Sequence, residues 1–320
     1  MPKLALLFPG QGVQTVGMGM DLTAAYPAAY GLLQQADAAL GWSLSGLITT
    51  GPAEKLNLTP YTQPAILTVS LAYWRAWQEA GIRAEAAVGL SLGEYSALVA
   101  AGALDLATAV QLVHERGKAM DTSYPADAGA VVVVLGLERD IVQAICAAET
   151  QADSHVQASN FNCPGQTVIA GDKAAVERAC AALTTAGAKR IIPLAVSAPF
   201  HTQLLRPAGA IFAPFLRAAS WRIPEMTVVS NVDASVYRSV EQMRGLLTRQ
   251  VSEPIEFAAG IERLLDAGFR HFLEVGPGSS LGGMVKKISR RAVVYQAPAA
   301  DQIGYVAEQV RREIGGGLVE

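Results

Sequence analysis

Only three cysteines, Cys146, Cys163 and Cys180, stand in 320 residues. They are odd in number and lack metal-ligand spacing, which excludes a disulfide scaffold and a zinc site and fits a reducing, cytoplasmic setting. Charge is scarce and nearly balanced, with 25 Lys and Arg against 28 Asp and Glu for a net charge of -3. Without a concentrated basic surface, nucleic acid is not expected as the main partner. No apolar run approaches the ~20 residues of a membrane-spanning helix, and Ala130 to Leu137, as long as any, has a glycine inside it. No membrane partner is expected. Leu4 to Phe8, the apolar run before Pro9, is too short for a signal-peptide core and has no small-residue cleavage site behind it. Low-complexity tracts, charge runs and fixed-period repeats are also missing. Hydrophobic residues, by contrast, make up 51% of the chain and charged residues 17%. A large core can therefore be buried, and wholesale disorder is excluded.

The length allows one large domain, alone or with a smaller companion. Short β-rich apolar runs alternate with helical patterns, which predicts an α/β protein. Lys3 to Phe8 reads as a strand leading into the turn Pro9-Gly10-Gln11-Gly12. Ala86 to Leu90 reads as a second strand, followed at once by a helix from Leu92. Between residues 128 and 197 a separate order is expected. It comprises strand Ala130–Leu135, helix Glu138–Glu149, strand His155–Asn160, strand Gln166–Ala170, helix Lys173–Thr185 and strand Arg190–Val196. That β-α-β-β-α-β order is ferredoxin-like. The expected organisation is a large α/β domain of residues 1–127 and 198–320, interrupted by a small domain of residues 128–197.

Gly89-Leu90-Ser91-Leu92-Gly93 matches G-x-S-x-G in the context that motif needs, a strand before and a helix after. The glycines are expected to permit a sharp turn that lifts Ser91 above the sheet. The following helix N-terminus would bring backbone N–H groups to a tetrahedral oxyanion. A serine nucleophile requires a base, and the chain has four histidines. His114 lies in a helical pattern beside Glu115 and reads as solvated or helix-paired. His155 and His271 open predicted strands. His201 lies on an irregular loop after Ser197-Ala198-Pro199-Phe200, which favours it, because catalytic groups concentrate on loops held by a scaffold. Arg116 sits near the apolar stripe of Leu106, Val110, Val113 and Met120. A guanidinium leaning that way would need a partner carboxylate. A plain salt bridge or a solvated arginine is the bland alternative.

Phe8-Pro9-Gly10-Gln11-Gly12, Gly89-Leu90-Ser91-Leu92-Gly93-Glu94, Arg116-Gly117-Lys118-Ala119-Met120 and Ser197-Ala198-Pro199-Phe200-His201 resemble four successive signatures of the malonyl-CoA:acyl carrier protein transacylase family. Thr62-Gln63-Pro64-Ala65, Asn160-Phe161-Asn162-Cys163-Pro164-Gly165-Gln166 and Glu274-Val275-Gly276-Pro277-Gly278 resemble further landmarks. The resemblance runs from about residue 5 to residue 285. It implies a hydrolase-like α/β domain with a parallel sheet and an inserted ferredoxin-like domain. It also implies an enzyme that carries malonyl from malonyl-CoA to an acyl carrier protein. Ser91 would be acylated, His201 would be the base, and the backbone N–H groups of Gln11 and Leu92 would hold the oxyanion. A backbone carbonyl near Gln250 would orient His201, and Arg116 would grip the malonyl carboxylate. Phe200 would favour malonyl over methylmalonyl, and Gln63, Met120, Asn160 and Gln250 complete the implied substrate-binding set. No cofactor or metal is implied, the coenzyme A thioester being a substrate.

Leu90 stands where many relatives have histidine, and Val13 stands where serine is frequent. Leucine there resembles free-standing acyltransferases of polyketide assembly lines, so the sequence leans towards polyketide over fatty-acid synthesis. Lys286, Lys287, Arg290 and Arg291 form a basic cluster that reads as solvated surface more readily than as a docking face. The competing functions are an acyl hydrolase that clears carrier proteins, a non-catalytic carrier-binding module and a generic carboxylesterase. Retention of Arg116 argues against the first, and the Ser91 and His201 pair against the second. The inserted segment and Arg116 together argue against the third.

Overall fold

The computed structural model describes residues 3–194, 196 and 198–315. Strand β1 (Leu4–Phe8) is apolar and buried at every position, the pattern of a strand covered on both faces. It leads to helices α1 (Met20–Ala25), α2 (Pro27–Leu40), α3 (Leu44–Thr50), α4 (Ala53–Leu56) and α5 (Thr59–Glu79). Next come β2 (Ala86–Gly89), α6 (Gly93–Ala100) and α7 (Leu106–Thr122). Asp105 caps α7 by accepting from Thr108 N.

The middle of the chain supplies β3 (Gly129–Leu135), α8 (Arg139–Glu149), β4 (Val156–Cys163), β5 (Gln166–Asp172), α9 (Lys173–Thr185) and β6 (Arg190–Pro193). The remainder forms α10 (Arg206–Ala218), β7 (Thr227–Val228), α11 (Val240–Gln250) and α12 (Phe257–Asp266). It closes with β8 (His271–Glu274), α13 (Leu281–Ile288), β9 (Val293–Tyr295) and α14 (Ile303–Ile314).

Five strands make a sheet of order β7-β2-β1-β8-β9, parallel at every pairing. Successive residues of β1 face opposite sides. Leu4, Leu6 and Phe8 join the core that includes α5, while Ala5 and Leu7 join the one that includes α12 and α13. The chain leaves β1 for β2 on one side and later returns as β8 on the other. The carboxyl ends of β1 and β2 therefore border a switch point, where open α/β sheets place their ligand crevice. Both expected functional turns, residues 9–12 and 90–92, lie there.

The second sheet is antiparallel, of order β4-β5-β3-β6. Helices α8 and α9 cover one face, where Val132, Val134 and Ile169 of the sheet meet Val142 of α8 and Leu183 of α9. Order and connections are ferredoxin-like, as the sequence pattern predicts. The last strand is shorter than expected. Leu194 N still donates to Val131 O, but Ala195 and Ser197, and with Ser197 the expected domain junction, lie outside the described residues.

Ile255 and Glu256 link the two sheets. Phe161 N donates to Ile255 O at 2.8 Å and Ile255 N to Ser159 O at 2.9 Å. Arg139 makes a two-pronged pair with Glu256, at 2.7 and 2.8 Å. Among the described residues, no helix is long and apolar enough to cross a membrane.

Candidate active site

Ser91 occupies the turn between β2 and α6 with φ 53°. The sequence reading gave the flanking glycines the task of turning the chain. The structure gives them another. Ser91 itself adopts the left-handed conformation, and the glycines are there for space. A Cβ on Gly89 would sit 1.9 Å from the Gly93 carbonyl carbon, and one on Gly93 would sit 2.1 Å from Phe8 O. Strand, turn and helix thus touch backbone to backbone. Gly10 does the same from the other side, since its Cβ would lie 2.5 Å from Leu90 O. A non-glycine residue in this region costs about 1–3 kcal/mol and persists only where its surroundings fix it.

The Ser91 Oγ lies 2.7 Å from His201 Nε2. His201 is 4% exposed and is also left-handed, with φ 60°. Its Nδ1 is 2.7 Å from the main-chain oxygen of Gln250. A carbonyl can only accept, so Nδ1 carries the proton and Nε2 turns a lone pair to the serine hydroxyl. Burial, and then the nearby Arg116 charge, hold the imidazole down to about 3, against a smaller opposing effect of the Gln250 carbonyl. It is therefore neutral, the form a base needs. Among the described residues, neither Gln11 N–H nor Leu92 N–H has an acceptor, so both donors bordering the turn are free.

Arg116 is 1% exposed, and here the sequence expectation of a partner carboxylate is corrected. Its Nη1 donates to Gln63 Oε1 at 2.9 Å, and its Nη2 donates to Gln250 Oε1 at 2.9 Å and to Ser91 Oγ at 3.1 Å. All three partners are neutral, and Nε has none among the described residues. Burial lowers the guanidinium pKa, yet arginine stays charged. Gly117 explains how the helix comes so near. A Cβ there would lie 2.6 Å from Pro60 Cα, so only glycine lets α7 meet the start of α5, where Gln63 sits.

Glu94 is fully buried and accepts from Gln250 Nε2 at 2.5 Å, from Tyr237 Oη and from Asn231 N. Burial pushes its carboxyl up to about 7, against these hydrogen bonds and the Arg116 charge. Gln250 Nε2 also donates to Ser91 O at 3.0 Å, which turns its side-chain oxygen towards Arg116. One residue thus touches serine, arginine and histidine.

The structure brings together Ser91, His201, Arg116, Gln63 and Gln250. Leu92 is buried beside the serine, Gln11 is half-buried across the turn, and Phe200 adjoins His201 against the main core. Met120 Sδ accepts from Gln63 Nε2 at 3.7 Å, one step behind Arg116. Asn160 is not joined to the group by any hydrogen bond among the described residues. It is half-buried on β4, pairs with Ile255 and accepts from Ser159 Oγ. His114 is half-buried and is not paired within its helix. Its Nδ1 lies 2.6 Å from Pro60 O, a carbonyl left without its usual helical donor because Pro64 has no N–H. His271 Nδ1 lies 2.8 Å from Tyr295 Oη. Sequence reading missed Asn231, Tyr237 and the part played by Glu94. Only Glu94 had a local signal, as an acid directly after the serine motif.

Fold and site have the form of an acyl-transfer enzyme, and the chain belongs to the acyl transferase domain family, whose pattern matches residues 5–311. Within that family it is 46% identical over 291 residues to a malonyl CoA-acyl carrier protein transacylase of Escherichia coli strain K12, covering 90% of this chain and 93% of that one. It is 41% identical over 313 residues to the protein of that name in Bacillus subtilis strain 168, covering 98% and 99%. Two solved structures superpose with TM-scores of 0.93. One is the malonyl CoA-acyl carrier protein transacylase of Coxiella burnetii, 35% identical over 96% of this chain and 98% of that one. The other is a malonyl-transacylase in complex with its type II PKS acyl-carrier protein, 40% identical over 96% and 99%.

Proposed function

We propose that this chain transfers malonyl from malonyl-CoA to the phosphopantetheine thiol of an acyl carrier protein of fatty-acid or polyketide synthesis. The observation that carries this reading is the buried guanidinium of Arg116, 3.1 Å from Ser91 Oγ and held only by neutral partners. A carboxylate on the acyl group would supply the charge partner the protein withholds, in a paired, charge-assisted contact.

In the first half-reaction His201 Nε2 takes the Ser91 hydroxyl proton as Oγ attacks the thioester carbon. The oxyanion forms opposite the N–H groups of Gln11 and Leu92. When the carbon–sulfur bond breaks, the coenzyme A sulfur leaves with that proton. In the second half-reaction the carrier thiol gives its proton to His201 and attacks the Ser91 ester, and the proton returns to Oγ. Substrate binding also acts on the base. A carboxylate paired with Arg116 offsets the charge that lowers His201, and the imidazole becomes more basic as the acyl group arrives. Gln63 and Gln250 hold Arg116 for this contact. The setting we infer is the cytoplasm, consistent with three free thiols, two of them buried. Residues 128–197 are read as a small domain inserted in the larger one.

Intact-mass measurement after brief exposure to malonyl-CoA tests this reading. A malonyl adduct is expected on Ser91, absent in Ser91→Ala and discharged on adding acyl carrier protein. An adduct in Ser91→Ala would overturn the nucleophile. Discharge to water at the same rate with and without carrier protein would favour an acyl hydrolase.

A further inference from the structure

Asn231 is 1% exposed, and the proposed reaction leaves it without a role, although its side chain is wholly engaged with the serine turn. Its Oδ1 accepts from Ser91 N at 2.6 Å and its Nδ2 donates to Gly89 O at 2.7 Å. The two bonds fix the amide orientation, because Ser91 N can only donate and Gly89 O can only accept. Its own backbone N–H is held by the buried Glu94 carboxylate on α6. Its main-chain oxygen accepts from Glu256 N at 2.7 Å. The asparagine is thus anchored on both sides and spans the strained residue like a brace.

We infer that Asn231 is a positioning residue for Ser91, clamping the left-handed serine between Gly89 O and Ser91 N and assigning the oxyanion to other donors. A serine in a sparsely populated conformation is stable only if its neighbours over-determine it, and these two bonds bear on the residue directly. The same contact uses up the Ser91 N–H. A developing oxyanion is left with Leu92 N–H and Gln11 N–H, which the structure keeps free. Remove the brace, and the turn gains a relaxed alternative in which Oγ leaves the line to His201. Ser91 N–H would also compete for the oxyanion from a wrong direction.

This inference rests on Ser91 being the nucleophile, so Ser91→Ala is run in parallel. Acyl-enzyme formation with malonyl-CoA and with acetyl-CoA is followed by rapid quench and intact mass. The burst amplitude counts competent sites, and the rate constant reports each site. Asn231→Ala is expected to slow the rate constant about a hundredfold, the scale of a reacting group misplaced by ~1 Å. Both acyl groups should be affected alike, with little change in KM. A purely structural asparagine would lower the amplitude and leave the rate per site untouched, and that result would overturn the inference. Asn231→Asp supplies a second readout. Ionised, it accepts from Ser91 N but repels Gly89 O; protonated, it restores both bonds. Its neighbours are Glu94 from α6, Tyr237 beyond β7 and, across Ser91, His201 and Arg116. Glu94 in contact holds an introduced acid towards its protonated form. The rate of Asn231→Asp relative to the unmodified protein should therefore rise as pH falls, while that of Asn231→Ala stays flat. Equal pH dependence in the two variants would contradict the brace. A persistent adduct in Ser91→Ala would instead remove the nucleophile on which it rests.

Discussion

The two sheets of this chain solve folding in opposite ways. Strands β3 and β4 mix buried with half-exposed residues and β6 is largely exposed, while β5 is buried from Thr167 to Gly171, and two helices cover one face. Among the described residues from 129 to 193, no residue other than glycine is left-handed. The parallel sheet buries β1 and β2 completely, yet it gathers Glu94, Arg116, His201 and Gln250 into its interior. It also holds Ser91 and His201 in left-handed backbone. One region follows local preference throughout. The other departs from it where Ser91, His201 and the buried Arg116 meet, and also at Ala234. Glu94, Arg116 and two of the four left-handed non-glycine residues among the described ones thus lie around the proposed chemistry.

The largest test of that contrast is His201→Ala. Acylation of Ser91 should fall on the order of 10²–10⁴-fold, the range for a lost general base, with the ferredoxin-like sheet unaltered by circular dichroism. Loss under tenfold would mean that the strained histidine is not what the site is built around. Next in size is Arg116→Ala. Malonyl transfer should drop roughly 10- to 100-fold more than acetyl transfer, because a charge-assisted pair contributes about 1.5–3 kcal/mol. Equal losses for the two acyl groups would make Arg116 a structural cation.

How much of this was legible follows the same division. The β-α-β-β-α-β order could be read element by element, with the ends of β4 and β6 missed by three residues each, since alternation and helical periodicity are local signals. Ser91 could be read because its motif is local too. What could not be read is the polar lattice under it. Asn231 lies 140 positions from Ser91, and Tyr237 lies 143 from Glu94, with no spacing rule to link them. The neutral partners of Arg116 were hidden for the same reason. Gln63 and Gln250 come from helices 53 and 134 positions away. Even the glycines of the serine motif were read for flexibility, when their reason is the approach of β1 to α6.

Burial of His201 and Glu94 makes a pH-dependent prediction of intermediate size. The histidine is lowered from 6.5 to about 3, so the unfolded chain binds its proton more readily. Its contribution is complete above pH 6.5 and is lost as pH falls towards 3, reaching roughly 2 kcal/mol near pH 5. Glu94 is raised from 4.5 to about 7. Its contribution is complete below pH 4.5 and lost as pH rises through 7. Between pH 6.5 and 5 the two oppose each other. His201→Gln removes one side, so its stability should rise by about 2 kcal/mol relative to the unmodified protein on going from pH 7 to pH 5. Urea melts at the two pH values check this, and parallel shifts of the two proteins would contradict it.

The smallest effect is expected where the two regions meet. Arg139 on α8 pairs with Glu256, its guanidinium carbon 3.6 Å from the Phe161 ring centre. Its side chain is 46% exposed, so solvent screens the pair, and it is expected to contribute about 1 kcal/mol or less. The backbone bonds of Ile255 to Ser159 and Phe161, and of Glu256 N to Asn231 O, remain when Arg139 is removed. The segment that follows Gln250 should stay docked, and Gln250 should keep its hold on His201. Arg139→Ala is therefore expected to lower stability by about 1 kcal/mol or less and leave acylation of Ser91 within about twofold, since the reacting groups are not displaced. A tenfold fall in acylation with the same small stability change would break the contrast. It would mean that the regular sheet, through the strand edge of β4 and Ile255, sets the position of the carbonyl that orients the base.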